Sequence, residues 1–110
     1  RKDVEISDFL MVDDTVDIGG EIRFSFLLSS KGSLLGMLRI EYAIDYMKSN
    51  GSHSRKIFKI SEGNIQTKSK QIRRKQSFKN MSTRKHYRGQ HALAVIVNGE
   101  EIGSVSFSVT

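Results

Sequence analysis

The chain has 110 residues, 18 Lys/Arg against 12 Asp/Glu for a formal net charge of +6, and neither cysteine, proline nor tryptophan. That length suits one compact domain able to bury a core without staples, and the missing thiols exclude disulfide frameworks, cysteine–zinc sites and thiol catalysis. No apolar run approaches the length of a membrane helix and RKDVEISD lacks a signal-peptide core; the leading Arg1 suggests the C-terminal fragment of a longer protein.

VEISDFLMV, from Val4, reads as a first strand. Asp13, Asp14 and Asp17 follow it without the alternating ladder and closing glutamate of a calcium loop, so they are expected to form a solvated turn. EIRFSFLLSS (21–30) puts Ile22, Phe24, Phe26 and Leu28 on one face and Glu21, Arg23 and Ser25 on the other, the period of a half-buried strand. MLRIEYAIDYMK (37–48) repeats it with Leu38, Ile40, Tyr42, Ile44 and Tyr46 before the Asn50-Gly51 turn.

RKIFKI (55–60) is a short strand with a basic outer surface. In NIQTKSKQIRRKQSFK (64–79) the apolar residues Ile65, Ile72 and Phe78 are too sparse for an amphipathic helix; a basic edge strand is expected, where cations discourage edge-to-edge pairing. His91 to Val97, HALAVIV, is apolar on both faces, as in a central strand. Asn98-Gly99 then makes a hairpin into EIGSVSFSVT, with Val105, Phe107 and Val109 facing inward. Seven short strands with turns about every ten residues predict an all-β fold: a single immunoglobulin-like antiparallel β-sandwich over residues 1–110, without a disulfide. In such sandwiches a tyrosine often ties the corner before the penultimate strand; here Arg88-Gly89-Gln90-His91 offers the His91 ring instead.

No catalytic constellation emerges. His53, His86 and His91 lack the partners and spacing of a zinc site, and no serine sits in a G-x-S-x-G elbow. No metal or cofactor is expected. Charge is the stronger signal. Between His53 and His91 lie twelve cations (Arg55, Lys56, Lys59, Lys68, Lys70, Arg73, Arg74, Lys75, Lys79, Arg84, Lys85, Arg88) and a single acid, Glu62, whereas the remainder is net acidic. Spread over three consecutive elements, these cations are expected on adjacent strands and loops, with Phe58, Phe78, His86 and Tyr87 interleaved. Such a surface favours a polyanion through release of condensed counter-ions. Arg84 and Arg88 have the fork that grips phosphate or enters a narrow minor groove.

Three segments carry a resemblance: YAIDYMKSNGSHSRKIFK (42–59), RKQSFKNMSTRKHY (74–87) and RGQHALAVIVNG (88–99). They resemble the C-terminal immunoglobulin-like domain of the AlkC-type DNA alkylation repair glycosylases. There a strand ending K-x-N-G leads to S-P-K-V-F-K, a basic stretch, T-T-R, and Y-P-G-x-H opening a strand closed by N-G. Arg55 and Arg88 stand where that family usually has proline, and Asn80 replaces another. The resemblance implies a bacterial, cytoplasmic, non-catalytic accessory module that grips double-stranded DNA independently of sequence. It also implies a helical-repeat glycosylase domain elsewhere in the same polypeptide, carrying base excision, and no membrane partner. Matched positions expected at the DNA are Lys56, Lys59, Arg84 and Tyr87; Lys85 and Arg88 join them on charge alone. The alternative is a protein–protein interaction sandwich, which would show an exposed apolar patch on one sheet.

Overall fold

Alternating side chains become paired strands along most of the chain. The computed structural model describes residues 3–80 and 85–110. Its strands are β1 (Val4–Met11), β2 (Thr15–Val16), β3 (Glu21–Ser30), β4 (Gly36–Met47), β5 (His53–Ile65), β6 (Ser69–Ser77), β7 (Gly89–Val97) and β8 (Glu100–Val109). They form a three-stranded sheet ordered β1-β3-β6 and a five-stranded sheet ordered β2-β8-β7-β4-β5. All pairings are antiparallel except β2 with β8. The immunoglobulin-like sandwich expected from the sequence is the fold; the strand beyond the expected seven is the two-residue β2, too short to leave a periodic signature.

The two inner faces supply the core. Ile22, Phe24, Phe26 and Leu28 of β3 meet Leu38, Ile40, Tyr42, Ile44 and Tyr46 of β4, all buried, with Leu93, Val95, Phe107 and Val109 from β7 and β8. In β1 the alternation slips at Asp8, whose φ of 50° accompanies a register shift between Ser7 and Leu10. The bulge turns Phe9 inward, edge-on to Phe26, and leaves Leu10 outside.

Unequal sheet widths place the basic segment. On one side of the sandwich β1 covers β8, with Ile6 and Phe9 against Gly103. On the other, the Tyr42 hydroxyl of β4 donates to Gln76 of β6, so β6 lies over the β4–β5 side. The strands expected to be adjacent are thus edge strands of opposing sheets on one flank, because the chain crosses between sheets at residues 66–68. The wider sheet overhangs there, and the inward positions of β5 change from exposed at Ser54 and Lys56 to half-buried at Phe58 and Ile60.

The molecule is elongated, 44 × 23 × 20 Å. One end carries Asp3, hydrogen-bonded to Lys31, with the 66–68 crossover and Asn98-Gly99. The other carries the 48–52 turn, the Gly19-Gly20 turn bonded to Phe78, and the segment before β7.

Candidate nucleic-acid interface

The segment before β7 is held by an aromatic knot. Phe78 is fully buried and its ring centroid lies 4.8 Å from His86, 5.7 Å from His91, 5.8 Å from Tyr46 and 5.6 Å from Phe107. His86 N–H donates to Asn80 Oδ1 at 2.8 Å. His91 Nδ1 is 3.2 Å from the Gly89 carbonyl, which can only accept; the imidazole holds the corner as the sequence suggested. Gly89 itself has φ of 134°, and a Cβ there would lie 2.6 Å from the Met47 sulfur. Gly89→Ala is expected to destabilise the chain by about 1–3 kcal/mol, measured by urea unfolding, since an L side chain strains this backbone.

Burial pushes the His91 imidazole below its ordinary pKa, opposed by the bond to Gly89 and reinforced by the nearby His53 and His86. Its Nε2 is buried without a partner among the described residues, so a second proton would bring in an unsolvated charge. The unfolded chain therefore binds the proton first. This stability is complete above the ordinary imidazole value of 6.5 and is lost as pH falls from there toward the lowered folded value. Urea unfolding should show a smaller unfolding free energy at about pH 5.5 than at about pH 7.5, with a smaller fall in His91→Phe.

This frame presents Lys85, Tyr87 and Arg88 at one end of the molecule. Lys85 and Arg88 are exposed and Tyr87 half-buried, with the Lys85 ammonium 5.7 Å from the Tyr87 ring centre. Arg84 lies outside the described residues. His53 Nε2 donates to Gln90 O at 2.8 Å, binding the start of β5 to the start of β7 across β4.

Lys56 and Lys59 do not share a surface. Three residues apart on a strand, they fall on opposite faces: Lys56 pairs with core-facing Ile44, Lys59 with Glu41. Lys56 rises over the half-buried Phe58 ring at 5.2 Å. Through β4 it is level with Leu93, four residues or about 13 Å from Gly89, whereas Lys59 is level with Ile96, about 23 Å away. Lys59 also pairs with Glu62 at 2.9 Å, which holds that carboxyl below its usual range.

Arg55 is neutralised too. Its guanidinium donates to both Asp45 oxygens, at 2.8 and 3.1 Å, and to Glu101 at 2.9 Å. Ala92 and Ala94 between β4 and β8 leave it room to cross. The hydrogen bonds lower the Asp45 pKa and raise that of Arg55. The Arg55 charge is therefore engaged by acids on the outer surface of the sheet, while that of Arg88 faces solvent.

Arg74 is the residue the sequence reading did not single out. Opposite Phe24 on β6, it lies close enough to Tyr42 to oppose the rise in that hydroxyl's pKa caused by burial. Tyr42 in turn stacks on Phe58 at 4.9 Å. Arg74, Tyr42, Phe58 and Lys56 thus form a continuous cationic and aromatic seam along the flank. A basic run signals such a seam, but only packing of the sheets shows that Arg74 and Lys56 share it. Apart from Arg55 and Lys59, the described cations of the basic segment have no carboxylate partner among the described residues.

Residues 5–110 match the family model described as "Uncharacterised protein YhaZ, C-terminal Ig-like domain". The chain belongs to this family. It is 42% identical over 107 residues to the YhaZ protein of Bacillus subtilis (strain 168), covering 96% of this chain and 29% of that protein. Among solved structures it is similar to the Pseudomonas fluorescens alkylpurine DNA glycosylase AlkC bound to DNA containing an abasic site analog. That likeness has a TM-score of 0.91 and 37% identity over 97% of this chain and 30% of that one. A β-glucosidase from Listeria innocua shares the fold at TM-score 0.70 with 12% identity, which speaks for architecture alone. The YhaZ family chain thus spans less than a third of the YhaZ and AlkC proteins it resembles.

Proposed function

We propose that this domain is a non-catalytic accessory module of a DNA alkylation repair glycosylase and grips duplex DNA through its cationic flank and the turn before β7. The observation that carries this is the likeness, at 37% identity over nearly the whole chain, to part of a glycosylase solved on DNA. The geometry supports it. Lys56, Arg74, Lys85 and Arg88 are free of carboxylate partners among the described residues and alternate with Phe58 and Tyr87, the chemistry of backbone contact with ring surfaces beside it. Arg84, next to Lys85 in the sequence, carries a further positive charge. These groups read phosphate and groove shape, so the grip is independent of base sequence. Lys59, paired with Glu62 and on the other face of β5, contributes least of the expected contacts.

Base excision in this reading belongs to a helical-repeat domain of the same polypeptide, acting on bacterial DNA in the cytoplasm. The test is duplex affinity by fluorescence anisotropy across salt concentrations, with two unrelated sequences. About six phosphate contacts predict a loss of about 10³ between about 50 and 200 mM salt, equal for both duplexes. Salt-insensitive binding, or a preference for one duplex, overturns the reading.

A further inference from the structure

The outer face of the three-stranded sheet is not part of that flank, and its side chains are sorted by strand. Two rungs cross it. Leu10, Ser25 and Arg73 form one by backbone register. Val12, whose N–H donates to Arg23 O, forms the next with Arg23 and Lys75. The β1 side is therefore aliphatic and the β3–β6 side cationic. Leu10 is 62% and Val12 71% exposed, among the most exposed large apolar side chains described. They owe that position to the bulge at Asp8, which sends Phe9 inward and its neighbour out.

The cations are arranged at a cost. Arg23 stands directly opposite Lys75, a like-charge pair that disfavours the sheet by itself, with Arg73 on the diagonal. Glu21 reaches Arg23 at 3.0 Å, but no described carboxylate reaches Arg73 or Lys75. Val12, Arg23, Phe24, Ser25, Arg73, Arg74 and Lys75 border an open depression of about 550 Å³. Among the described residues the outward positions of β1, β3 and β6 carry no aromatic side chain, in contrast to the flank with Phe58 and the turn with Tyr87; Phe24, which borders the depression, is buried in the core. Bases stack on rings, so aliphatic Leu10 and Val12 suit a protein side chain better than a nucleotide.

We propose that this face is a docking site for an acidic amphipathic helix of a protein partner. Three strands set at about 4.8 Å separate the aliphatic and cationic columns by about 10 Å, the diameter of one helix with its side chains. A helix lying along β3 would cover Leu10 and Val12 with an aliphatic stripe and set an adjoining acidic stripe over Arg73 and Lys75. It thereby removes apolar surface from water and relieves the Arg23–Lys75 repulsion. This goes beyond DNA binding: Arg74 borders both surfaces, but Leu10, Val12, Arg73 and Lys75 are not among the proposed DNA contacts, so either can fail without the other.

The test is an NMR titration of the ¹⁵N-labelled chain with a helical peptide carrying a leucine stripe beside a glutamate stripe. The controls are a scrambled peptide of the same composition and a short DNA duplex. Shifts confined to β1, β3 and β6, at least tenfold weaker binding of the scrambled peptide, and at least tenfold loss in Arg73→Glu/Lys75→Glu are expected. Leu10→Ser/Val12→Ser should lose several-fold while the rest of the spectrum stays in place. Equal binding of the scrambled peptide, unchanged affinity in either double variant, shifts centred on Lys85–Arg88, or larger shifts on this face from the duplex would overturn the proposal.

Discussion

A chain carrying Lys56→Ala, Arg74→Ala, Lys85→Ala and Arg88→Ala is expected to lose most of its affinity for duplex DNA and to bind what remains with a flatter salt dependence. Each cation at a phosphate contributes about 0.9 to the slope of log affinity against log salt, so four together should reduce it by about 3.6. On the proposed reading the loss falls alike on unrelated duplexes, because these side chains would meet backbone and groove rather than base edges. Lys59→Ala is the internal control. Its ammonium is on the other face of β5 and engaged by Glu62, so it should change the slope far less. Anisotropy titrations at several salt concentrations check both. A slope unchanged in the quadruple variant would remove the flank and turn from the DNA surface. The variant should fold normally, since all four side chains are solvent-exposed and make no salt bridge to a described residue.

The second large effect is on stability. Phe78→Ala should cost about 3–5 kcal/mol, because it deletes a fully buried ring and leaves a cavity that five-stranded and three-stranded sheets cannot both close. Against the roughly 5–15 kcal/mol that holds a domain of this size, that is a large fraction. Calorimetric unfolding measures it. The site would suffer with the fold: His86 and His91 both pack on Phe78, and Gly19 N–H bonds its carbonyl. Weakened DNA binding that recovers on cooling would separate this structural loss from the direct loss in the charge variant. Phe78→Leu, which retains much of the volume, should cost markedly less.

Phe78 also shows how a composition-level reading divides. In the sequence it is one ring among cations, equally able to face solvent, DNA or core; in the fold it is the centre of the knot beneath the basic turn. Phe58 went the other way, half-buried at an edge and covered by Lys56. Nothing in the neighbouring sequence distinguishes the two, since both sit among cations. What separates them is how many strands lie over each, and that follows from the overhang of the wider sheet.

Strand content, the hairpin at Asn98-Gly99, the apolar centre of β7 and the concentration of charge were all determined by the sequence alone, because period-two alternation and turn chemistry act over a few residues. Family membership was likewise legible in the order of short motifs from the middle of the chain onward. The tertiary structure alone decided that β5 and β6 flank one side as edges of opposing sheets. It also split Lys56 from Lys59, tied Arg55 to acids on β4 and β8, and drew Arg74 beside Tyr42. Pairing partners far apart in the chain are chosen by which faces must be buried together, and a charge acquires its role only once that choice has set its neighbours.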